Sequence, residues 1–324
     1  MRFYEDIESE IKRIQKCISR FGWTSDHNLD WWVDSIVDKS GNPVFVEFDD
    51  GAGLLAQKYP DRWEIWSDPL SKLEEASQKL LEFSKFVLTG DINPALDPTL
   101  KFKGGVELKS GVRKVLCVDV SDTIYLQLKK DNFFNVGDIE YSLFWPVLDM
   151  EKYDPTLPGR HFKEIRNAKN KFYREHKVKV VNTNELDKND LYRIVDYWQK
   201  EVTKKQKPED VYDLRYRNAI ENNFRGFITS RVLIADGQPV GFNAGYEVPN
   251  RKGRFAGAVG LHGYSLKDLG VILWLEDLKW IKNAGYKELD MQGTEYDWEI
   301  KGKTQYGAVV ERKTNTFSLK HFTK

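Results

Sequence analysis

Cysteine is scarce in this chain, which has only Cys17 and Cys117 among 324 residues. Neither belongs to a Cys-x-x-Cys pair, so the sequence predicts neither a structural zinc site nor a redox motif. The scarcity also excludes a disulfide framework and favours a reducing cytosol, so we expect a cytoplasmic protein. No metal-ligand spacing relates the five histidines, so we expect no metal: His27, His161, His176, His262 and His321.

Long apolar runs are also missing from the chain. No segment approaches the roughly 18–20 apolar residues that span a membrane. The charged opening, MRFYEDIESEIKRIQKC, lacks the apolar core of a signal peptide. We therefore expect no transmembrane segment, so that any membrane contact is peripheral.

The net charge is zero, but the two halves differ in sign. Residues 1–150 carry 18 basic and 26 acidic side chains, whereas residues 151–324 carry 32 basic and 24 acidic ones. The basic second half fits an anionic partner such as tRNA, CoA or phospholipid. It fits equally well two docked lobes with complementary electrostatic fields.

What the chain does contain is typical of a folded protein of two domains. Hydrophobic residues make up 40% of the chain and aromatic residues 13%, which excludes a disordered polymer. The length also favours two domains. The best boundary is DPTLPG at 154–159, where two prolines and a glycine interrupt both periodicities. We therefore predict domains at 1–153 and 154–324.

Hydrophobic periodicity in the second half predicts a mixed α/β order. After a helix over 160–177, the predicted order is β-α-α-β-β-β-α-β-α-β. Its elements are strand 178–182, helices 188–203 and 212–224, strands 230–236, 240–248 and 254–265, helix 269–284, strand 287–293, a helix or loop from 296, and strand 308–314. The first half shows a blurred version of the same order. The expected fold class is therefore α/β (α+β), with two tandem domains, each a mixed, mostly antiparallel sheet flanked by helices.

Two segments carry a family resemblance. GRHFKEIRNAKNKFYREH (159–176) resembles the basic helix that links the two lobes of the catalytic domain of phosphatidylglycerol lysyltransferases. LDMQGTEYDWEIKGKTQYG (289–307) is similar to the strand, turn and lysine-plus-glycine tail of that family and of the Fem-type aminoacyl transferases. With the element order, these segments resemble a tandem acyltransferase of the GNAT fold.

The resemblance implies a donor site where strand 254–264 splays from its neighbour and helix 269–284 begins. The expected donor-binding residues are Leu261, Gly263, Ser265, Lys267, Leu269 and Gly270. We read Ser265 and Asp268 as a capping box. Such a carboxylate repels a pyrophosphate at the helix N-terminus, where ordinary GNAT enzymes hold CoA. This disfavours CoA as the donor. The alternative is an ordinary capped helix without a donor.

Acyl transfer needs groups that accept and donate protons, and four candidates cluster around the predicted strand ends. They are His262, Asp290, Glu295 and Tyr296, with His262 as the expected general base. A lone histidine is more often structural, so the set rests on its clustering.

The linker helix is a candidate polyanion site. Residues 160–177 include seven basic and two acidic side chains, and such arrays bind phosphate backbones. The alternative is a solvated helix face. The expected contacts, including two late lysines that match the family, are Arg160, Lys163, Arg166, Lys171, Arg174, Lys301 and Lys303.

These observations predict an acyltransferase that transfers an aminoacyl group from aminoacyl-tRNA to a lipid, peptide or small-molecule acceptor. The alternatives are an acyl-CoA-dependent N-acyltransferase and a non-catalytic GNAT-like binding protein. We expect no tightly bound cofactor, because tRNA or CoA enters as a substrate.

Overall fold

The computed structural model describes residues 1–36, 39–89, 114–130, 134–204 and 211–321. The chain forms two compact units. The first comprises Met1–Trp145, Gly293–Ile300 and Val310–Lys324, and the second comprises Pro146–Gln292 and Lys301–Val309.

The first unit is built on a mixed sheet flanked by helices. Its strands are β1 (Arg2–Tyr4), β2 (Asn42–Glu47), β3 (Gly53–Lys58), β4 (Arg62–Trp66), β5 (Lys114–Ser121) and β6 (Phe134–Val136). Its helices are α1 (Ile7–Phe21), α2 (Leu29–Asp34), α3 (Ala76–Thr89) and α4 (Asp122–Leu128). Neighbouring strands are antiparallel except for β4 and β5, which pair in parallel. The strand β13, described below, pairs with β5 and β6.

The second unit repeats this kind of sheet. Its helices are α5 (Lys163–Glu175), α6 (Lys188–Val202), α7 (Leu214–Glu221) and α8 (Leu269–Asn283). Its strands are β8 (Val178–Asn182), β9 (Thr229–Ala235), β10 (Gln238–Glu247), β11 (Arg254–His262) and β12 (Glu288–Asp290). The strand order is β7-β12-β11-β10-β9-β8, and only β11 and β12 are parallel. This mixed, mostly antiparallel architecture confirms the predicted fold class.

Three elements contain residues of both units. They are β7 (Tyr141–Asp149), α9 (Asp297–Thr304) and β13 (Val309–His321). The prediction assigned all of 154–324 to the second domain, whereas the structure returns 293–300 and 310–324 to the first unit. The cause is β13, which pairs antiparallel with β5 from Thr314 to Leu319. The chain also changes unit at residue 145, before the predicted boundary at 153.

Local patterns explain most of these elements. Ile14 and Ile18 lie on the buried face of α1, and Asp6 caps the helix by accepting a hydrogen bond from the Ser9 N–H at 3.3 Å. The helix begins only at Ile7, because residues 2–4 pair with β2. The stretch before Met150 contains α4 and the nine residues of β7.

Candidate active site

The candidate site lies where β11 parts from β12. The two strands pair only from Arg254 to Ala256, opposite Glu288 to Asp290. In the described part of the chain, residues 259–262 of β11 pair with β10 alone. The splayed strand predicted for 254–264 is therefore present. In the first unit, the matching parallel pair β4 and β5 stays together over five residues, 62–66.

The N-terminus of α8 follows this strand. Asp268 occupies the N-cap position with a left-handed backbone (φ 63°), and its side chain makes no capping hydrogen bond to the helix. The predicted capping box of Ser265 and Asp268 was therefore wrong. Because Asp268 itself is the N-cap residue, its carboxylate stands three positions before the N3 site that a capping box requires.

His262 packs against the first turn of α8. A Cβ atom added at Gly270 would lie only 2.8 Å from His262 Nε2, so this close approach requires glycine. The Tyr264 backbone N–H donates to His262 Nδ1 at 3.3 Å. Because Nδ1 accepts this bond, the neutral ring carries its proton on Nε2. In this tautomer Nε2 donates a hydrogen bond, and the general-base role of His262 stays a prediction.

A cavity of about 550 Å³ opens beside the loop that follows His262. We call it the α6 cavity, because Asp190, Arg193, Ile194 and Tyr197 of α6 form one wall. The tip of the β9–β10 hairpin and the loop residues Gly263, Ser265 and Leu266 form the rest. Residues 190, 193, 194 and 197 share one helix face, since they are spaced by three and four. A volume of this size is typical of small-ligand sites.

The charges at the α6 cavity are mainly acidic. Asp190 pairs with Arg193 of the same helix, and Asp236 pairs with His176 at 2.7 Å. The His176 ring and the Lys177 N–H hydrogen-bond the Asp236 carboxylate and hold its pKa below the usual value, so it is ionised at neutral pH. The lining thus holds two carboxylates against one guanidinium, which disfavours a pyrophosphate.

The six predicted donor-binding residues have different environments. Gly263 and Ser265 line the α6 cavity. Lys267, two residues after Ser265, is exposed but does not line the cavity. Leu261 and Leu269 are buried, and Leu269 packs in the core with residues such as Phe172. Gly270 contacts His262 instead. The structure therefore brings only part of the predicted set to one surface.

The predicted acid–base set is divided. Asp290 is buried and lies opposite Ala256 in the parallel register, six residues before His262. At about 3.3 Å per residue, this separates the two by roughly 20 Å along the strand. Glu295 and Tyr296 belong to the first unit, whereas His262 belongs to the second. The expected clustering at matching strand ends therefore does not hold for Asp290.

The basic linker helix is present as α5. It buries Ile165 and Phe172 and exposes Lys163, Lys171 and Arg174. Arg160 is exposed just before it. Arg166 has a different environment from these four, because its guanidinium donates to the backbone carbonyls of Leu157 and Gly159. Of the late lysines, Lys301 is exposed, while Lys303 Nζ donates to the Gln292 carbonyl at 3.0 Å.

Sequence reasoning missed a buried ion pair beneath α8. Arg231 of β9 lies 2.5 Å from Asp277 of α8, and their side chains are only 11% and 5% exposed. Burial raises the pKa of Asp277 to about 6, against the opposing effect of Arg231. Trp280 covers the guanidinium at 4.8 Å. The available signal was a carboxylate in the middle of a helix with apolar residues on most sides.

Within the described residues, no group of three or more His, Cys, Asp or Glu side chains is arranged to hold a metal ion. The same part of the chain has no helix long and apolar enough to cross a membrane.

Comparisons with known proteins identify the architecture. No family model and no curated sequence matches. Among solved structures, the C-terminal domain of a putative lysylphosphatidylglycerol synthetase from Agrobacterium fabrum matches with a TM-score of 0.62 at 14% identity, over 96% of this chain and 91% of that one. FemX matches with a TM-score of 0.57 at 11% identity, over 98% of this chain and 97% of that one. A tandem GNAT protein from the clavulanic acid biosynthesis pathway matches with a TM-score of 0.55 at 10% identity, over 100% of this chain and 99% of that one.

The chain has the tandem GNAT fold. The similarity to these three structures extends over nearly the whole chain, whereas the sequence motifs that carry the resemblance begin at residue 159. The resemblance to the lysylphosphatidylglycerol synthetase domain and to the Fem-type proteins is therefore confirmed at the level of fold.

Proposed function

We propose that this tandem GNAT chain is an acyltransferase that uses aminoacyl-tRNA as its donor. The acceptor is an amine or hydroxyl of a lipid, a peptide or a small molecule. The tandem GNAT fold and the similarity to a putative lysylphosphatidylglycerol synthetase domain support a transferase. A lipid acceptor would be met by peripheral contact with a membrane surface.

The observation that carries the choice of donor is the acidic lining of the α6 cavity beside the donor loop. Asp190 and Asp236 outnumber the single cation Arg193. A CoA pyrophosphate placed there meets like charge, which disfavours its binding. The 3′ end of a tRNA carries only one phosphodiester per nucleotide and avoids this concentration of charge.

The reaction follows from ester aminoacyl transfer. The acceptor nucleophile attacks the carbonyl carbon of the aminoacyl ester, the ester C–O bond breaks, and the ribose oxygen of the tRNA leaves. The acceptor loses one proton and the ribose oxygen gains one. His262 supplies a hydrogen bond from Nε2 to the oxygen on which negative charge develops, as such donors do in other acyl transfers.

The exposed cations of α5 support a nucleic-acid donor. Lys163, Lys171 and Arg174 point to solvent along one helix, and neutralisation of phosphates by such side chains makes binding dependent on salt. Arg166 does not join this set, because it holds the loop before α5.

Acyl-CoA is the second candidate donor, and two observations favour it. The Asp268 side chain makes no capping hydrogen bond at the N-terminus of α8, and backbone amides at a helix N-terminus can bind a pyrophosphate. The similar tandem GNAT protein from the clavulanic acid pathway is described in a state without AcCoA, which associates that compound with a chain of this fold. The two donors make opposite predictions about binding, so they are separable.

Binding and transfer should be measured in parallel with bulk aminoacyl-tRNA and with acetyl-CoA. We expect tRNA binding that weakens steeply with salt, and transfer of labelled aminoacyl groups to phosphatidylglycerol vesicles, a peptide or a small amine. Binding of CoA without tRNA would overturn the proposal in favour of an acyl-CoA enzyme. Binding of neither donor would indicate a non-catalytic module.

Replacement of His262 tests its role directly. His262→Ala should reduce the transfer rate about 100-fold, the size of a proton-transfer or oxyanion contribution. His161→Ala is the matched control, because His161 is exposed and its ring only packs, tilted, against that of Phe162. Equal transfer rates for His262→Ala and His161→Ala would show that His262 does not take part in the reaction.

A further inference from the structure

The α6 cavity has the features of a nucleoside site. Its floor is apolar, since Ile194 and Val240 are buried and Leu266 is half-buried. Its rim is polar, with the amide of Gln238, the hydroxyl of Ser265 and the Asp236 carboxylate. A flat aromatic heterocycle with a hydroxylated sugar needs this combination of an apolar surface and polar edges.

Tyr197 provides the aromatic wall of the cavity. Its side chain is 58% exposed, although the large hydrophobic side chains of α6 are mostly buried. It sits against the donor loop: a Cβ added at Gly263 would be in ordinary van der Waals contact with Tyr197 Cβ, at 3.5 Å. An exposed ring held beside a cavity is the arrangement on which nucleobases stack.

The polar groups of the rim distinguish a base and its sugar. Gln238 offers both an N–H donor and a carbonyl acceptor at the hairpin tip, which matches the N6 and N7 edge of adenine. A carboxylate such as Asp236 accepts hydrogen bonds from a ribose hydroxyl, as in dinucleotide sites. Two carboxylates in the lining leave little tolerance for more than one phosphate.

We propose that the α6 cavity binds the terminal adenine nucleoside of the donor, with the base stacked on Tyr197 and its edge facing Gln238. This inference rests on the proposed function for the source of the nucleoside, the 3′-terminal adenosine of tRNA. The adenosine of CoA has the same base, but it carries a pyrophosphate and a further phosphate. The experiment therefore includes both sources.

The test compares deacylated tRNA with the same tRNA lacking its terminal adenosine. For the wild-type chain, loss of the adenosine should weaken binding about 5- to 150-fold, the range for one stacked base. In Tyr197→Ala the two tRNAs should bind alike, while Tyr197→Phe should keep the wild-type difference. Tyr212→Ala is the control, because Tyr212 is 43% exposed and lies outside the cavity lining.

Acetyl-CoA binding to the same variants separates this inference from the proposed function. If the wild-type chain binds tRNA equally well with and without the terminal adenosine, the α6 cavity is not a nucleoside site. The proposal that tRNA is the donor would not be affected. Binding of acetyl-CoA alone, lost in Tyr197→Ala, would support the nucleoside site and overturn the tRNA donor. Binding of either donor with equal affinity by the wild type and by Tyr197→Ala would overturn the nucleoside site. Thermal unfolding of Tyr197→Phe and Tyr197→Ala checks that both variants fold.

Discussion

His262 and Gly270 are in such close contact that any side chain at position 270 would displace the imidazole. A Cβ atom there would lie 2.8 Å from Nε2, 3.4 Å from Cδ2 and 3.5 Å from Cε1 of the ring. The glycine thus lets the side chain at the end of β11 rest on the first turn of α8.

Gly270→Ala should separate activity from stability. Alanine is favoured over glycine in helices by up to about 1 kcal/mol, so the melting temperature should hold or rise. The transfer rate should fall about tenfold or more, because the His262 ring must move. Gly302→Ala is the matched control, since a Cβ at that helical glycine meets nothing within 4 Å. Unchanged transfer by Gly270→Ala would show that the ring position is not critical.

Removing one partner of the buried Arg231–Asp277 ion pair should strongly destabilise the protein. Asp277→Asn leaves the Arg231 guanidinium without its ionic partner and should lower the free energy of unfolding by about 3–5 kcal/mol. The double variant Arg231→Met, Asp277→Leu should recover most of this loss, because no uncompensated charge remains. Urea unfolding measures both. A double variant less stable than Asp277→Asn would contradict this account.

Stability should depend on pH through His27 in the first unit. The side chain is fully buried, its Nδ1 accepts from the Trp23 N–H at 3.0 Å, and burial lowers its pKa to about 4. The unfolded chain has a histidine pKa near 6.5. Between these values only the unfolded chain binds the proton, so the stabilising contribution is complete above about pH 6.5 and is lost as the pH falls towards 4.

The size of the His27 contribution is about 3 kcal/mol, from 1.36 kcal/mol per pKa unit. Denaturant unfolding of the wild type and of His27→Gln at pH 7.5, 6 and 4.5 measures it. The difference between the two proteins isolates His27 from other titrating groups. It should shrink as the pH falls. A difference that stays constant across this range would disprove the assignment.

The exposed cations of α5 should set the salt dependence of tRNA binding. Removing Lys163, Lys171 and Arg174 together should reduce the slope of log K against log salt by about 2 to 3. An equal neutralisation of Lys12, Lys16 and Lys130 in the first unit, all exposed, serves as the control. Arg166→Ala should instead lower the melting temperature, since that guanidinium holds backbone carbonyls. Equal slopes for the two triple variants would show that the three α5 cations are exposed to solvent and do not contact tRNA phosphates.

Local patterns predicted the second unit well. The strand at 178–182 was predicted with its observed ends, and the helix predicted at 269–284 was observed at Leu269–Asn283. Both signals come from neighbouring residues: alternation in a strand, and apolar spacings of three and four in a helix. The element order that they build was sufficient to predict the α/β class and the tandem organisation.

Tertiary structure alone decided where distant segments meet. The return of β13 to the first unit, the three-residue pairing of β11 with β12, the contact between Arg231 and Asp277, and the α6 cavity join residues far apart in sequence. The chain itself determined the class of fold, the basic linker helix and the segment around His262. The register of strands and the partners of buried charges are set by packing between elements, which no local periodicity records.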